Sequence, residues 1–232
     1  MKVALLGDIH GNHFALRAVL SAATRHGVER LLITGDLVGY YFWAKEVLEM
    51  LQPWDFVVVR GNHEQMLAEA RAEPQHLRDV EAKYGSGLRV ALETLTAAQF
   101  HWLENLPHPL EVKVDGCRIL LCHGSPWDLD QYVYPDADHA LLARCADPAH
   151  DVVVLGHTHY PFQRMIDGTV VINPGSVGQP RDRMPGAHWA LLDTRTREVG
   201  HWIEAYDAGP VMAYAQLKQP NLPYLWEVLR RK

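Results

Sequence analysis

The sequence predicts an α/β fold in which strands and helices alternate, and three observations carry the prediction. Residues 3–63 alternate short apolar, β-branched runs with amphipathic helical patterns. Several of those runs stop abruptly at a glycine followed by a carboxylate, an amide or an imidazole, as VVVLGHTHY (152–160) does most plainly. From residue 162 onward, short strand-like segments follow one another with tight turns.

Taken in order, VALLGD (3–8) reads as a buried strand, HFALRAVLSAATRHG as an amphipathic helix ending at Gly27, and RLLITGD (30–36) as the next strand. WAKEVLEML is a second helix, Pro53 interrupts it, and DFVVVRGNH (55–63) is a third strand. Residues 64–106 lose the strand signal and read as several short helices broken at Pro74 and at GSG (85–87). They form a helical, lid-like insertion within a single domain spanning 1–232. PLEVKV leads through a turn at Asp115-Gly116 to CRILLCHG, a strand ending in histidine, and DVVVLGHTH repeats the device. FQRMI, DGTVVIN, HWALLD and EVGHWIEA are consecutive strands, and two short helices close the chain.

Length and composition narrow the function. At 232 residues and 48% hydrophobic the chain matches one globular domain. MKVALLGDIHGN is too short an apolar stretch for a secretory signal and no long apolar run follows, so a cytoplasmic protein with no membrane partner is expected. Cys117, Cys122 and Cys145 are an odd number without CxxC spacing, which points to reduced, buried thiols. A net charge of -6 with no Lys/Arg cluster argues against extended nucleic-acid binding. It leaves room for a small phosphoester or nucleotide substrate, provided bound metals supply the positive charge.

The strand ends carry the chemistry. Five separated strands end in Gly7-Asp8-Ile9-His10, Gly35-Asp36, Gly61-Asn62-His63, His123-Gly124 and Gly156-His157-Thr158-His159. In an α/β sheet the carboxyl ends of parallel strands lie along one edge, so residues scattered in sequence converge there. Taken singly, each ending has an ordinary reading as a turn, a helix cap or a hydrogen-bonded strand end. Together they form a set of oxygen and nitrogen donors suited to divalent metals. Because a carboxylate bridges two ions and an imidazole does not, five endings imply two metals.

In this order the residues resemble the signature of the calcineurin-like metallophosphoesterases. DIHGN (8–12), LCHGSPWD (121–128) and NPGSVGQPRD (173–182) are most similar to small prokaryotic phosphodiesterase-type members related to diadenosine tetraphosphatases. The resemblance implies a four-layer αββα sandwich of two mixed β-sheets flanked by helices. It gives Asp8, His10, Asp36 and His159 to one metal and Asp36, Asn62, His123 and His157 to the other, with Asp36 as the bridge. Two divalent or transition-metal ions are implied, manganese first, with iron, zinc and nickel as alternatives. The implied reaction is hydrolysis of a phosphodiester or nucleotide-type ester by attack of a metal-bound hydroxide, with His63 as general acid. Asn12 and Arg181, in two of the matching segments, are the candidate substrate contacts.

Two departures qualify the match. The acidic residue and arginine that follow this aspartate in Ser/Thr protein phosphatases are replaced by Leu37-Val38, which lowers that alternative and leaves no partner to orient His63. Tyr40-Tyr41-Phe42-Trp43 stands where relatives carry glycine and proline. These aromatics either stack on a nucleobase at the site rim or pack a helix entry or a subunit contact, as in a homo-oligomer. Trp127, Tyr132 and Tyr134 carry the same ambiguity. A non-catalytic binding module of the same fold is the remaining alternative, disfavoured because every ligand position is filled.

Overall fold

The computed structural model describes residues 1–231. Ten strands form two mixed sheets of five. The first runs β10-β9-β1-β2-β3, with β1 (Lys2–Leu6), β2 (Arg30–Ile33) and β3 (Phe56–Val58) parallel, and β9 (Ala187–Asp193) antiparallel to both β1 and β10 (Val199–Glu204). The second runs β4-β5-β6-β8-β7. In it β5 (Cys117–Leu121), β6 (Val152–Val154) and β8 (Thr169–Asn173) are parallel, while β4 (Leu110–Val114) and β7 (Phe162–Ile166) close the edges antiparallel.

Strand alternation explains why the layers stack as αββα. Side chains along a strand point alternately to opposite faces, and a strand buried on both faces is apolar throughout. Val3, Leu5 and Leu32 of the first sheet meet Ile119, Leu121, Val152, Val154 and Ile172 of the second in one core. Their neighbours Ala4, Leu6, Leu31 and Ile33 face the opposite way, against α1 (His13–Arg25), α2 (Ala44–Leu51) and the helices of the insertion. On the outer face of the second sheet, Leu120, Val153 and Val171 pack on α7 (His139–Cys145). The expected four-layer architecture of two mixed sheets flanked by helices is the one observed.

Three local expectations change. The helix α7 was not anticipated; its seven residues are too few for a clear periodic signal, and its N-cap Asp138 lies in a polar run. Helical structure starts at Asn62, not 64, so this ligand-type residue opens α3 (Asn62–Ala72) instead of ending a strand. The helices α3, α4 (Pro74–Tyr84), α5 (Gly87–Thr94) and α6 (Ala97–Glu104) bury Leu67, Val80, Leu88, Phe100 and Leu103 in the main core, so they belong to the packed outer layer. After β10 come α8 (Gly209–Lys218), α9 (Tyr224–Glu227) and a 3-10 turn (Val228–Arg230). Among the described residues no helix is long and apolar enough to cross a membrane.

Candidate metal centre

The carboxyl ends of β1, β2, β3, β5 and β6 converge as the parallel order requires, and backbone hydrogen bonds tie their loops together. Asp8 N–H donates to the carbonyl of Gly35, His10 N–H to that of Asp36, and Gly156 N–H to that of His123. Two ligand sets result. The donor atoms of Asp8, His10, Asp36 and His159 lie within 4.8 Å of one another, and so do those of Asp36, His123 and His157. Asn62 joins the second set, its Oδ1 lying 3.0 Å from His123 Nε2.

Three imidazoles are held in one tautomer. A carbonyl only accepts, so the Nδ1 atoms of His10, His123 and His159, at 3.0, 2.7 and 2.7 Å from the carbonyls of Val38, Thr34 and Gln179, must carry the protons. Each Nε2 lone pair is therefore left facing the centre, the arrangement that orients metal-ligating histidines. His10 Nε2 and His159 Nε2 stand 3.0 Å apart as two acceptors, a contact that repels unless a cation lies between them. Two nitrogens about 2.1 Å from one ion and at a right angle to each other would be separated by about 3.0 Å. A single oxygen of Asp36, Oδ2, is 3.6 Å from His10 Nε2 and 3.5 Å from His123 Nε2, and so belongs to both sets. Asp8 Oδ2 and His157 Nε2 are buried without a protein partner. These residues fit metal ions in number, chemistry and spacing.

The backbone is strained to achieve this. Asp8, His10, Asp36, His157 and His159 all lie in the left-handed region, with φ of 53°, 52°, 54°, 66° and 63°. Each such residue costs about 1 kcal/mol or more, and this concentration marks a site that the surrounding fold over-determines. Glu64 is part of that surround. Its buried carboxylate accepts from the N–H groups of Asp36, Leu37, Val38 and Gly61 at 2.9, 2.8, 3.3 and 2.8 Å, binding the Asp36 loop to the start of α3. A side chain on Gly61 would collide with Asp36, so the close approach requires glycine.

Burial sets the electrostatics. Desolvation pushes Asp8 up to about 7 against the pull of Arg181, and it pushes Asp36 well up with help from the Glu64 and Asp8 charges. Desolvation also holds His10, His123 and His159 well below the ordinary imidazole value and brings His157 to about 4. Without cations the groups are driven toward neutrality; bound cations invert that preference for the carboxylates.

Of the residues expected at the site, Asn12 departs. Its Oδ1 caps α1 by accepting from Ala15 N–H, and its amide donates to the Gly178 carbonyl and to Tyr206 Oη. It is buried, and both amide hydrogens are taken by protein acceptors, so its contacts support the loop. Arg181 does reach the site; its Nη2 donates to Tyr40 Oη at 3.0 Å and to Gln179 Oε1 at 3.3 Å, while its buried Nε has no protein partner. His63 lies against Tyr40, His10 and Tyr84, with ring centroids 4.9, 4.7 and 5.2 Å away. Its Nδ1 faces Gly39, where any side chain would overlap it. Aromatic packing and a glycine thus orient this histidine where no acidic partner exists. Burial, then Arg181, lowers it to about 3.

The aromatic run is not a rim. Tyr40, Tyr41 and Phe42 are buried with Val211, Ala215, Leu225 and Val228 of the C-terminal helices, with Trp43 packed alongside, and Tyr41 Oη donates to the Leu225 carbonyl. The exposed aromatics at the mouth are Tyr132 and Tyr134, stacked at 5.7 Å, with Tyr132 4.1 Å from the His157 ring. Trp127 is partly buried beneath the Arg144 guanidinium. Sequence reasoning missed Glu64, whose carboxylate reaches back to the Gly61 N–H as the N3 residue of α3; with glycine at the N-cap the sequence lacks the Ser/Thr that would have signalled it.

Fold and cluster together define a metal-binding α/β protein. The profile of the calcineurin-like phosphoesterase superfamily domain matches residues 1–197, and the chain belongs to that family of metal-dependent phosphoesterases. An uncharacterised protein of Methanocaldococcus jannaschii is 26% identical over 239 residues, covering 95% of this chain and 93% of that one. The crystal structure of a hypothetical protein from Pyrococcus horikoshii OT3 superposes with a TM-score of 0.87 at 25% identity, over 99% of this chain and 98% of that chain. A metallophosphoesterase from Sphaerobacter thermophilus gives a TM-score of 0.77 at 26% identity, over 98% and 99%.

Proposed function

We propose that this chain is a phosphodiesterase-type phosphoric ester hydrolase that works with two metal ions on a small phosphodiester or nucleotide-type ester. The observation that carries the reading is the position of Asp36 Oδ2, one carboxylate oxygen shared by two ligand sets. Asp8, His10, Asp36 and His159 would hold one ion and Asp36, Asn62, His123 and His157 the other. Manganese leads among the candidate metals. Such ions supply water activation and charge neutralisation at phosphorus.

The protein's own groups do the rest. Arg181 offers its unpartnered Nε–H to a phosphoryl oxygen, as a guanidinium suits. His63, with no acceptor near Nδ1, presents Nε2 to the leaving oxygen as proton donor, its affinity for that proton raised by the anionic substrate. The missing acid and arginine after Asp36 disfavour phosphoproteins as substrates. The buried free thiols of Cys117, Cys122 and Cys145 suit the cytoplasm.

Metal analysis with a hydrolysis screen over aryl diesters, cyclic nucleotides, dinucleoside polyphosphates and phosphopeptides tests the proposal. We expect two ions per chain and turnover of diesters above phosphopeptides. One ion per chain in fully active protein, or preference for phosphopeptides, would overturn it.

A further inference from the structure

Arg181 is surrounded by its near neighbour Gln179 and by residues from two distant parts of the chain, Tyr40 and Tyr224. Tyr40 Oη and Gln179 Oε1 accept from Arg181 Nη2 at 3.0 and 3.3 Å, which occupies both hydrogens of that nitrogen. Tyr224 of α9 donates to the same Gln179 oxygen at 3.4 Å. The Gln179 carbonyl receives the His159 Nδ1–H at 2.7 Å, so one residue contacts both the arginine and a candidate ligand. Tyr40 itself is held at a φ of 44°, a conformation disfavoured for a bulky side chain, next to Gly39 at 93°. Strain of this kind persists where a particular side-chain placement is needed. Tyr224 and the Leu225 carbonyl bound by Tyr41 lie beyond residue 197, where the family match ends.

We infer that Tyr40, Gln179 and Tyr224 are positioning residues that fix the Arg181 guanidinium with Nε–H toward the phosphoryl group, so that the C-terminal segment completes the phosphate-binding site. The inference rests on Arg181 contacting phosphate, as in the function proposed above. Because both hydrogens of Nη2 are tethered, the plane of the guanidinium is set before substrate arrives, with the Nε–H left without a protein partner. Pre-orientation of this kind lowers the entropy lost on binding.

A double-mutant cycle on metal-loaded protein tests this, with inorganic phosphate affinity and bis(p-nitrophenyl) phosphate kinetics as separate readouts. Tyr40→Phe is expected to weaken phosphate binding and raise KM about tenfold, with a smaller change in kcat and no loss of metal. Tyr224→Phe, removing the longer bond, should produce roughly a twofold to threefold shift in the same direction. In an Arg181→Ala background both effects should vanish. Equal losses with and without Arg181, or loss of metal in Tyr40→Phe, would mean that the Tyr40 hydroxyl acts by a route other than Arg181 and would overturn the inference. So would unchanged phosphate affinity in Arg181→Ala. A wild-type protein that binds phosphate through Arg181 but hydrolyses no ester would remove the proposed activity and leave the positioning intact.

Discussion

Glu64 gives the sharpest test of how the centre is built. Its carboxylate satisfies four buried N–H groups, two on each oxygen: Asp36 and Gly61 on Oε2, Leu37 and Val38 on Oε1. In Glu64→Gln the new amide nitrogen must face one of those pairs, leaving two donors unpaired and opposed by another donor. An unsatisfied buried donor costs about 1–3 kcal/mol, so the variant should lose roughly 2–6 kcal/mol. For a domain of this length that corresponds to a fall in Tm of at least about 4 °C. Urea and thermal unfolding of metal-free protein would measure the loss, and metal titration would follow the Asp36 loop. Asp36→Asn is the contrast: it alters a ligand while leaving the Glu64 hydrogen bonds to the backbone intact, so it should lose metal with a smaller change in stability. If Glu64→Gln shifts stability by less than about 1 kcal/mol and binds metal normally, the loop does not depend on this carboxylate.

Other variants separate the remaining roles. Asp36→Asn should reduce bound metal from both sets and His10→Ala chiefly from one, which elemental analysis per chain would reveal; unchanged content in Asp36→Asn would contradict a shared ligand. His63→Asn should keep its metal and lose about 10²-fold to 10⁴-fold in kcat/KM on alkyl esters, with much less on nitrophenyl esters; equal losses would assign His63 to phosphate positioning. Asp8, raised by burial to about 7, holds a proton in the metal-free fold that the unfolded chain has released above about 4. This group's stabilisation is complete below that unfolded value and is lost as pH rises through about 7, while a metal must displace the proton below 7. Metal affinity should therefore fall up to about tenfold per pH unit below 7, with proton release detected by calorimetry in two buffers; absence of release at pH 6 would refute the shift. Tyr132→Ala should weaken nucleotide-type substrates more than bis(p-nitrophenyl) phosphate if the exposed pair stacks on a base, and equal changes in KM would exclude stacking.

The stacking of four layers was implied by the family resemblance, whereas the apolar strand runs and the chemistry of the strand ends were legible in the segments themselves. Both follow from local patterns: Val3 to Leu6 and Val152 to Val154 are apolar at every position because both faces of a parallel sheet are covered, and His10, Asp36, His123 and His157 follow strands whose ends must converge. The roles of supporting residues were not legible in the same way. Asn12 looks like a site residue because it follows Asp8-Ile9-His10, yet its amide is taken up by Gly178 and Tyr206. The aromatic run after Asp36 left stacking at a rim and packing both open, and it is the C-terminal helices that bury it. That Glu64 holds the Asp36 loop, that Gly39 and Tyr40 orient His63, and that Arg181 meets Tyr40 across the fold became visible once the chain was folded. Burial and hydrogen-bond partnership depend on which segments the two sheets bring together, whereas strand periodicity and donor chemistry are carried by each segment alone.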